Sequence, residues 1–173
     1  MVEQVKFLAE CGVTRLQNFN ALNTIEIMRG VPMACDIVND QYGHNIHSQG
    51  MIVVQENPDT LSRQGEIIDS HLRFAEKLLE TGHTSLSLKN ANGVLRPDFA
   101  GELISKLNEE FGVPVSFHTH NSYGLAYENA LAAIEADVAE VDVAVDPLAD
   151  GTGQMSVYKS VSYTHLRAHE TKP

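Results

Sequence analysis

The chain has 173 residues, 43% of them hydrophobic, which is enough for one domain with a substantial core. Its formal net charge is -11, and no stripe of Lys and Arg is present, so the pattern of nucleic-acid-binding proteins is excluded. No apolar run reaches the roughly 18 residues of a membrane span, and no signal peptide precedes the first helix. We therefore expect a cytoplasmic protein without nucleic-acid or membrane partners.

Hydrophobic periodicity predicts helices and strands in alternation along the chain. Pro32 should kink or break the second helix, because proline disrupts helix interiors. The predicted strands cover residues 15–19, 47–54, 84–89, 113–118 and 138–145, and the predicted helices cover residues 2–12, 23–40, 57–81, 97–111 and 125–136.

This alternation predicts an α/β fold with a parallel sheet, and polar residues recur where the strands end. In a TIM barrel these carboxyl ends converge on one face, where the active site lies. Five strands in about 160 residues make a partial barrel, whose edge strands would be residues 15–19 and 138–145. We expect Leu16, Val141 and Val143 to face the barrel interior.

The strongest local motif is His118-Thr119-His120, at the end of the fourth predicted strand. Alternation along a strand puts both imidazoles on the same face, where they could bind one metal ion. Lys89 ends the third predicted strand and should reach the barrel mouth. An ordinary ammonium group would repel a cation, whereas a carbamylated lysine is an anion that can bind metal.

The last residues do not resemble natural protein sequence. Residues 161–171, Val-Ser-Tyr-Thr-His-Leu-Arg-Ala-His-Glu-Thr, match one reading frame of the transposase adapter used in sequencing libraries. Such segments are excluded from fold reasoning, even though His165 and His169 have the spacing of a helical metal pair. We therefore expect a domain over residues 1–160 and a non-native tail over 161–173, in which Tyr163 and Leu166 do not pack on the domain.

Several motifs, in one order, resemble the carboxyltransferase barrel of the pyruvate carboxylase, oxaloacetate decarboxylase alpha subunit and transcarboxylase family, within the HMG-CoA-lyase-like superfamily. They are Phe19-Asn20-Ala21-Leu22-Asn23, Gln49-Gly50-Met51-Ile52, the segment 88–95 beginning Leu-Lys-Asn, His118-Thr119-His120, and the loop 145–154. The resemblance implies that the chain is a fragment holding strands four to eight of the barrel. The first three strands, with an aspartate metal ligand, would lie upstream.

What this resemblance implies for function is metal-dependent carboxyl transfer to or from pyruvate or oxaloacetate. Lys89, His118 and His120 would be the metal ligands, with zinc, manganese or cobalt as the ion. Lys89, Asn20 and Asn90 are the candidate catalytic residues, the two asparagines through second-layer or substrate contacts. Biotin would be carried by a separate domain or subunit, the parent protein would be a homo-oligomer, and the fragment alone would be inactive.

The sequence departs from the family pattern at Asn20, Asn90 and Asn121, where the family usually has aspartate. Carboxylates near ligating histidines orient them and raise their basicity. Three amides would remove up to three negative charges near a dication. A decayed pseudoenzyme is therefore one alternative. Another is an acyl-CoA lyase or Claisen-type synthase of the same superfamily, which shares His-x-His but does not normally carry the ligand-type lysine.

Overall fold

The computed structural model describes residues 1–54 and 61–162; its main elements are five strands and six α-helices, and a short helical stretch follows at residues 157–162. The predicted start of the third helix at Asn57 and the predictions for residues 163–173 lie outside this part of the chain. The strands are β1 Arg15–Asn18, β2 His47–Val53, β3 Ser85–Asn90, β4 Val115–Thr119 and β5 Glu140–Val141. The helices are α1 Val2–Glu10, α2 Ile25–Met28, α3 Gly30–Tyr42, α4 Gln64–Glu80, which a 3-10 turn at Leu61–Arg63 precedes, α5 Pro97–Phe111 and α6 Ala126–Glu135.

The strands form one parallel sheet in the order β1-β2-β3-β4-β5, so each strand pairs with its neighbour in sequence. Parallel strands joined in sequence order by helices are the arrangement of a TIM barrel. The α/β partial barrel predicted from the sequence is confirmed, with β1 and β5 as its edges. No helix among the described residues is long and apolar enough to cross a membrane.

The sheet is curved so strongly that its two edge strands touch through their inner side chains. Arg15 of β1 forms an ion pair with Glu140 of β5, with 2.6 Å between nitrogen and oxygen. Two residues further along the chain from Arg15, toward the carboxyl end of β1, Gln17 Nε2 donates a hydrogen bond of 3.0 Å to Asp142 Oδ2. These contacts join strands that three others separate in the sheet, so the five strands enclose a barrel interior.

The inner and outer faces of the sheet differ in chemical character. Strand register places mostly polar side chains on the inner face, together with Met51 and Val53 of β2; the polar ones are Gln17, Gln49, Ser87, Lys89, Ser116 and His118. The outer face carries the apolar side chains that pack against the helices in the main core: Ile52, Leu86, Leu88, Val115 and Phe117. The main core therefore lies between the sheet and the helices, and the side chains of the barrel interior are mainly polar.

The predicted inward orientation of Leu16, Val141 and Val143 is wrong. Leu16 packs against the cluster of Val5, Cys35 and neighbours between α1 and α3, on the outer face. Val141 lies on Ala126 and Met155, also outside. Val143 lines the same outer groove as Met155. Alternation gives a strand two faces, but the inner one here is the polar face, because the helices bury the other.

Two predicted elements differ from the structure. The helix expected over residues 23–40 is two helices with a break at Arg29, and Pro32 lies in the first turn of α3, where its missing N–H leaves no hydrogen bond unmade. The strand expected over 138–145 is reduced to the two residues of β5. Beyond it, Ala144 pairs with Ser156 of the returning chain instead of continuing along β4.

Because the apolar core lies between the sheet and the helices, replacing a buried leucine should affect the free energy of unfolding far more than replacing an exposed one. Leu86 is fully buried on the outer face of β3, whereas Leu148 is 81% exposed. Leu86→Ala should lower the free energy of unfolding by about 2–5 kcal/mol, through lost transfer energy and the cavity left behind. Leu148→Ala, the matched control, should change it by less than about 0.5 kcal/mol. Urea denaturation followed by circular dichroism measures both, and equal effects would contradict the described core.

Candidate functional site

His118 and His120 lie at the carboxyl end of β4, on the face of the sheet that lines the barrel interior. His118 is the neighbour of Lys89 in the register of β3 and β4. His120 follows the last residue of β4 and forms an antiparallel bridge with Gln154 from the loop after β5. The imidazole ring centres are 5.2 Å apart. The sequence prediction that the two rings share a face is confirmed.

Each imidazole has its Nδ1 atom fixed by a hydrogen-bond acceptor. His118 Nδ1 donates to Asp142 Oδ2 at 2.8 Å, and His120 Nδ1 donates to the carbonyl oxygen of Thr152 at 2.6 Å. A neutral imidazole has one N–H, so these bonds leave the Nε2 atoms unprotonated. Metal-ligating histidines have this arrangement, in which the second ring nitrogen donates to a carboxylate or a backbone carbonyl.

The two Nε2 atoms point toward the same place. They are 3.3 Å apart, and Gln154 Nε2 lies 3.3 Å from one and 3.5 Å from the other. Two lone pairs that face each other repel unless a donor or a cation lies between them. Two nitrogens bound to one zinc ion at 2.0–2.1 Å in tetrahedral geometry would be roughly 3.3 Å apart. The spacing of these atoms therefore fits a shared metal ion.

Asp142 is a candidate site residue that the local sequence pattern did not reveal. Its carboxylate accepts hydrogen bonds from both His118 and Gln17. Burial opposes ionisation of Asp142, but these two hydrogen bonds and the nearby charges of His118 and Arg15 together outweigh it, and the pKa of the carboxyl lies below its usual value. The only signal in the sequence is its place one residue beyond β5, where a side chain faces the strand-end cluster.

Lys89 lies on the inner face of β3 with 9% of its surface exposed. Its Nζ atom is 4.6 Å from the centre of the Phe19 ring. Burial lowers the pKa of the Lys89 amine below its usual value, and the negative charge of Asp142 offsets part of this shift. The predicted location of Lys89, beside His118 and facing the barrel interior, agrees with the strand register.

Asn20 and Asn90 use their side chains to shape loops. Asn20 Oδ1 accepts the backbone N–H groups of Leu22 and Thr24. Asn90 is buried, donates to Thr119 Oγ1 at 2.9 Å and accepts from the backbone N–H of Gly93. Its partner in the register is Thr119, so it lies on the face opposite to Lys89. These bonds explain both asparagines structurally, and their contact with substrate stays a prediction.

Asn121 faces away from the two imidazoles and toward the loop after β5. Its Nδ2 donates to Asp150 Oδ1 at 2.8 Å, and its Oδ1 accepts the backbone N–H of Ala126. Asp150 also accepts from Tyr127 and Lys159. A carboxylate is therefore present in this neighbourhood, but at position 150 and not at position 121.

Two glycines allow the backbones of the site to approach closely. Gly93 has a φ of +75°, and a Cβ atom there would lie 2.9 Å from the carbonyl oxygen of His120. A Cβ atom on Gly153 would lie 2.7 Å from the carbonyl oxygen of Leu148. Within residues 1–54 and 61–162, no group of three or more His, Cys, Asp or Glu side chains is placed to hold a metal. Further ligands from this part of the chain would come from other residue types; Lys89, the strand neighbour of His118, and Gln154, whose amide faces both rings, are candidates.

Comparison with known proteins gives the chain a family. The sequence profile of the HMGL-like family matches residues 3–172. A pyruvate carboxylase polypeptide of Methanocaldococcus jannaschii is 32% identical over 145 residues, which are 84% of this chain and 24% of that protein. The 2-isopropylmalate synthase of the same organism is 28% identical over 156 residues, 88% of this chain and 29% of that protein. The chain thus spans less than a third of these relatives.

The fold agrees with this family. The carboxyl transferase domain of Rhizobium etli pyruvate carboxylase superimposes with a TM-score of 0.82 at 29% identity, over 94% of this chain and 26% of that one. Its complex with pyruvate and biocytin superimposes with a TM-score of 0.76 at 27% identity, over 94% and 27%. The five strands match part of that barrel. By sequence and by fold, the chain belongs to the HMGL-like family and resembles the carboxyltransferase domain of pyruvate carboxylase within it.

Proposed function

We propose that this chain is part of a metal-dependent carboxyltransferase that moves a carboxyl group between biotin and pyruvate, or the reverse from oxaloacetate. The observation that carries the proposal is the 3.3 Å separation of the two Nε2 atoms, with both Nδ1 atoms held by acceptors. Convergent unprotonated imidazoles are ligands for zinc, manganese and cobalt ions. His118 and His120 would hold one such ion.

Lys89 is the proposed third ligand, in carbamylated form. The carbamate forms when the neutral amine attacks carbon dioxide, so that an N–C bond is made and a proton is released. The resulting anion would suit a dication, where an ammonium group would repel it. Support comes from the burial of Lys89 beside His118 and from the family resemblance of the segment that begins Leu88-Lys89-Asn90.

Gln154 is a candidate for a further contact with the ion. Its side-chain amide faces both imidazoles. Rotation of that amide by 180° would present the carbonyl oxygen, a metal ligand, in place of the NH2 group. The aspartate ligand that the family resemblance implies would come from strands upstream of β1.

The residues of this chain have separable tasks in carboxyl transfer. A bound divalent metal would supply Lewis acidity that polarises the keto group and stabilises the enolate. His118 and His120 hold their imidazoles ready for it, because Asp142 and the Thr152 carbonyl fix their tautomers. Gln17 ties Asp142 to β1, so that the carboxylate does not move when charge develops in the site.

Pyruvate and a biotin carrier are the proposed partners. Solved structures that resemble this chain include the Rhizobium etli carboxyl transferase domain with pyruvate and with biocytin. The inner face that carries the two histidines is polar, as binding of a small keto acid requires. Biotin would arrive on a separate domain or subunit of the complete protein, which we propose to be a homo-oligomer.

An acyl-CoA lyase or Claisen-type synthase is the second candidate function, because a 2-isopropylmalate synthase is among the relatives. It would use the same two histidines. Lys89 argues against it, since a lysine in ligand position is not normal for that branch. The pseudoenzyme alternative has less support, because the asparagines on which it depended have hydrogen-bonding roles of their own in the loops.

Metal binding is the first testable consequence. The 173-residue chain, dialysed against zinc and then against buffer, should retain about one zinc ion, measured by plasma mass spectrometry. His118→Ala and His120→Ala should each lose it, because each removes one ligand. Asp142→Asn should weaken zinc affinity by about 10–100-fold, the usual effect of removing a carboxylate behind a ligating histidine.

His44→Ala is the matched control for these variants. His44 lies in the loop between α3 and β2, at the opposite end of the barrel, and its loss should leave zinc content unchanged. Unchanged zinc occupancy in both His118→Ala and His120→Ala would contradict the proposed metal site.

Biotin dependence is the second consequence, and it is tested on the complete protein that contains this chain. Oxaloacetate decarboxylation, followed as pyruvate release, should increase when free biotin is added, because biotin accepts the carboxyl group. His118→Ala should abolish that increase. Turnover of an acyl-CoA that does not respond to biotin would instead favour the lyase or synthase candidate.

A further inference from the structure

The side chain of Asp150 ties the loop after β5 to the segment that follows His120. Its Oδ1 accepts from Asn121 Nδ2 at 2.8 Å and from the Tyr127 hydroxyl at 2.9 Å, and its Oδ2 accepts from Lys159. Its backbone closes the loop as well, because its N–H donates to the carbonyl of Gln154 and its carbonyl accepts the N–H of Gly153.

This loop carries the acceptor that orients His120. The Thr152 carbonyl lies two residues after Asp150 and accepts from His120 Nδ1 at 2.6 Å. A second tie joins the same segments, since the backbone N–H of Asn121 donates to the carbonyl of Gly153 at 2.8 Å. The position of the His120 ring therefore depends on how residues 120–121 and 150–154 are held together.

We infer that Asn121 and Asp150 are a positioning pair, one amide and one carboxylate, which orients His120 through the Thr152 carbonyl. Neither residue touches the imidazoles in the described hydrogen bonds, so both act through the loop. The inference rests on the proposed function for its relevance to metal binding, but the hydrogen bonds that it concerns are independent of that function.

The pair has a specific chemical requirement. Asn121 supplies an N–H donor to an acceptor-only carboxylate. An aspartate at position 121 would still accept the N–H of Ala126, as Asn121 Oδ1 does. It would, however, set two carboxylates against each other at hydrogen-bond distance, with no proton between them at neutral pH. An amide at position 150 would restore a donor between the two side chains.

The effect of Asn121→Asp on zinc affinity distinguishes a positioning role of this pair from a purely electrostatic one. Asn121 is adjacent in sequence to His120, so an added carboxylate that acted only by its charge would attract a dication and tighten zinc binding. A carboxylate that displaces the loop would instead weaken zinc binding, because His120 would lose the acceptor of its Nδ1 proton. The two explanations predict changes of opposite sign.

The experiment compares Asn121→Asp, Asp150→Asn and the double exchange in the 173-residue chain. Asn121→Asp should weaken zinc affinity at least tenfold and lower the midpoint of thermal unfolding by about 4 °C or more. Asp150→Asn should have a smaller effect on both, since its amide oxygen can still accept from Asn121 and Tyr127, and only the exposed contact of Lys159 is lost. The double exchange should recover most of the loss. Asn45→Asp, which adds the same charge at an exposed position before β2, is the matched control.

A third readout needs no metal and no activity. In the metal-free chain, nitrogen-15 NMR of the imidazoles should show His120 with its proton on Nδ1, and Asn121→Asp should change that tautomer while the double exchange restores it. Tighter zinc binding in Asn121→Asp, or no recovery in the double exchange, would overturn the inference. Failure of the unaltered chain to bind zinc, with the tautomer result as expected, would overturn the proposed function alone.

Discussion

The site depends on two imidazoles whose unprotonated nitrogens point at one another across 3.3 Å. Such an arrangement is unfavourable without a donor or a cation between the lone pairs. The Gln154 amide, 3.3 and 3.5 Å from the two nitrogens, supplies a donor, and each ring is also fixed from behind. Asp142 and the Thr152 carbonyl remove the rotational and tautomeric freedom that would relieve the repulsion. The fold therefore holds both imidazoles in one orientation before any ligand binds. A preorganised site of this kind loses less conformational entropy on binding a metal, which raises its affinity.

This preorganisation is possible because the two faces of the sheet carry different kinds of side chain. Helices cover the outer face and bury the apolar side chains there, including Leu88 and Phe117. The inner face is free to carry Gln17, Lys89 and His118, which would be costly in a core. Contacts across the interior, such as that of Gln17 with Asp142, then link residues that are 125 positions apart in sequence. The outer face of the sheet thus contributes most of the apolar packing, and the inner face carries the candidate site residues.

The sequence predicted what local rules determine. The bounds of α5 are those expected, because Pro97 begins the helix and Gly112, with a φ of +59°, ends it. His118 and His120 were found because alternation is a local property. Asp142 and the Thr152 carbonyl were missed because their partners lie 24 and 32 residues away, and only the pairing of β4 with β5 and with the loop that follows brings them together. The same limit explains Leu16, since alternation does not say which face of a strand is the inner one, and Asn121, whose partner Asp150 comes from a later loop.

Direct location of a metal ion tests the central claim most sharply. Crystals of the chain grown with zinc chloride, with data collected on both sides of the zinc absorption edge, would show the ion by its anomalous scattering. We expect one strong peak about 2.0–2.1 Å from both His118 Nε2 and His120 Nε2, with the two Nδ1 contacts retained. A fully occupied zinc ion elsewhere, with no peak between the two imidazoles, would contradict the assignment of this site.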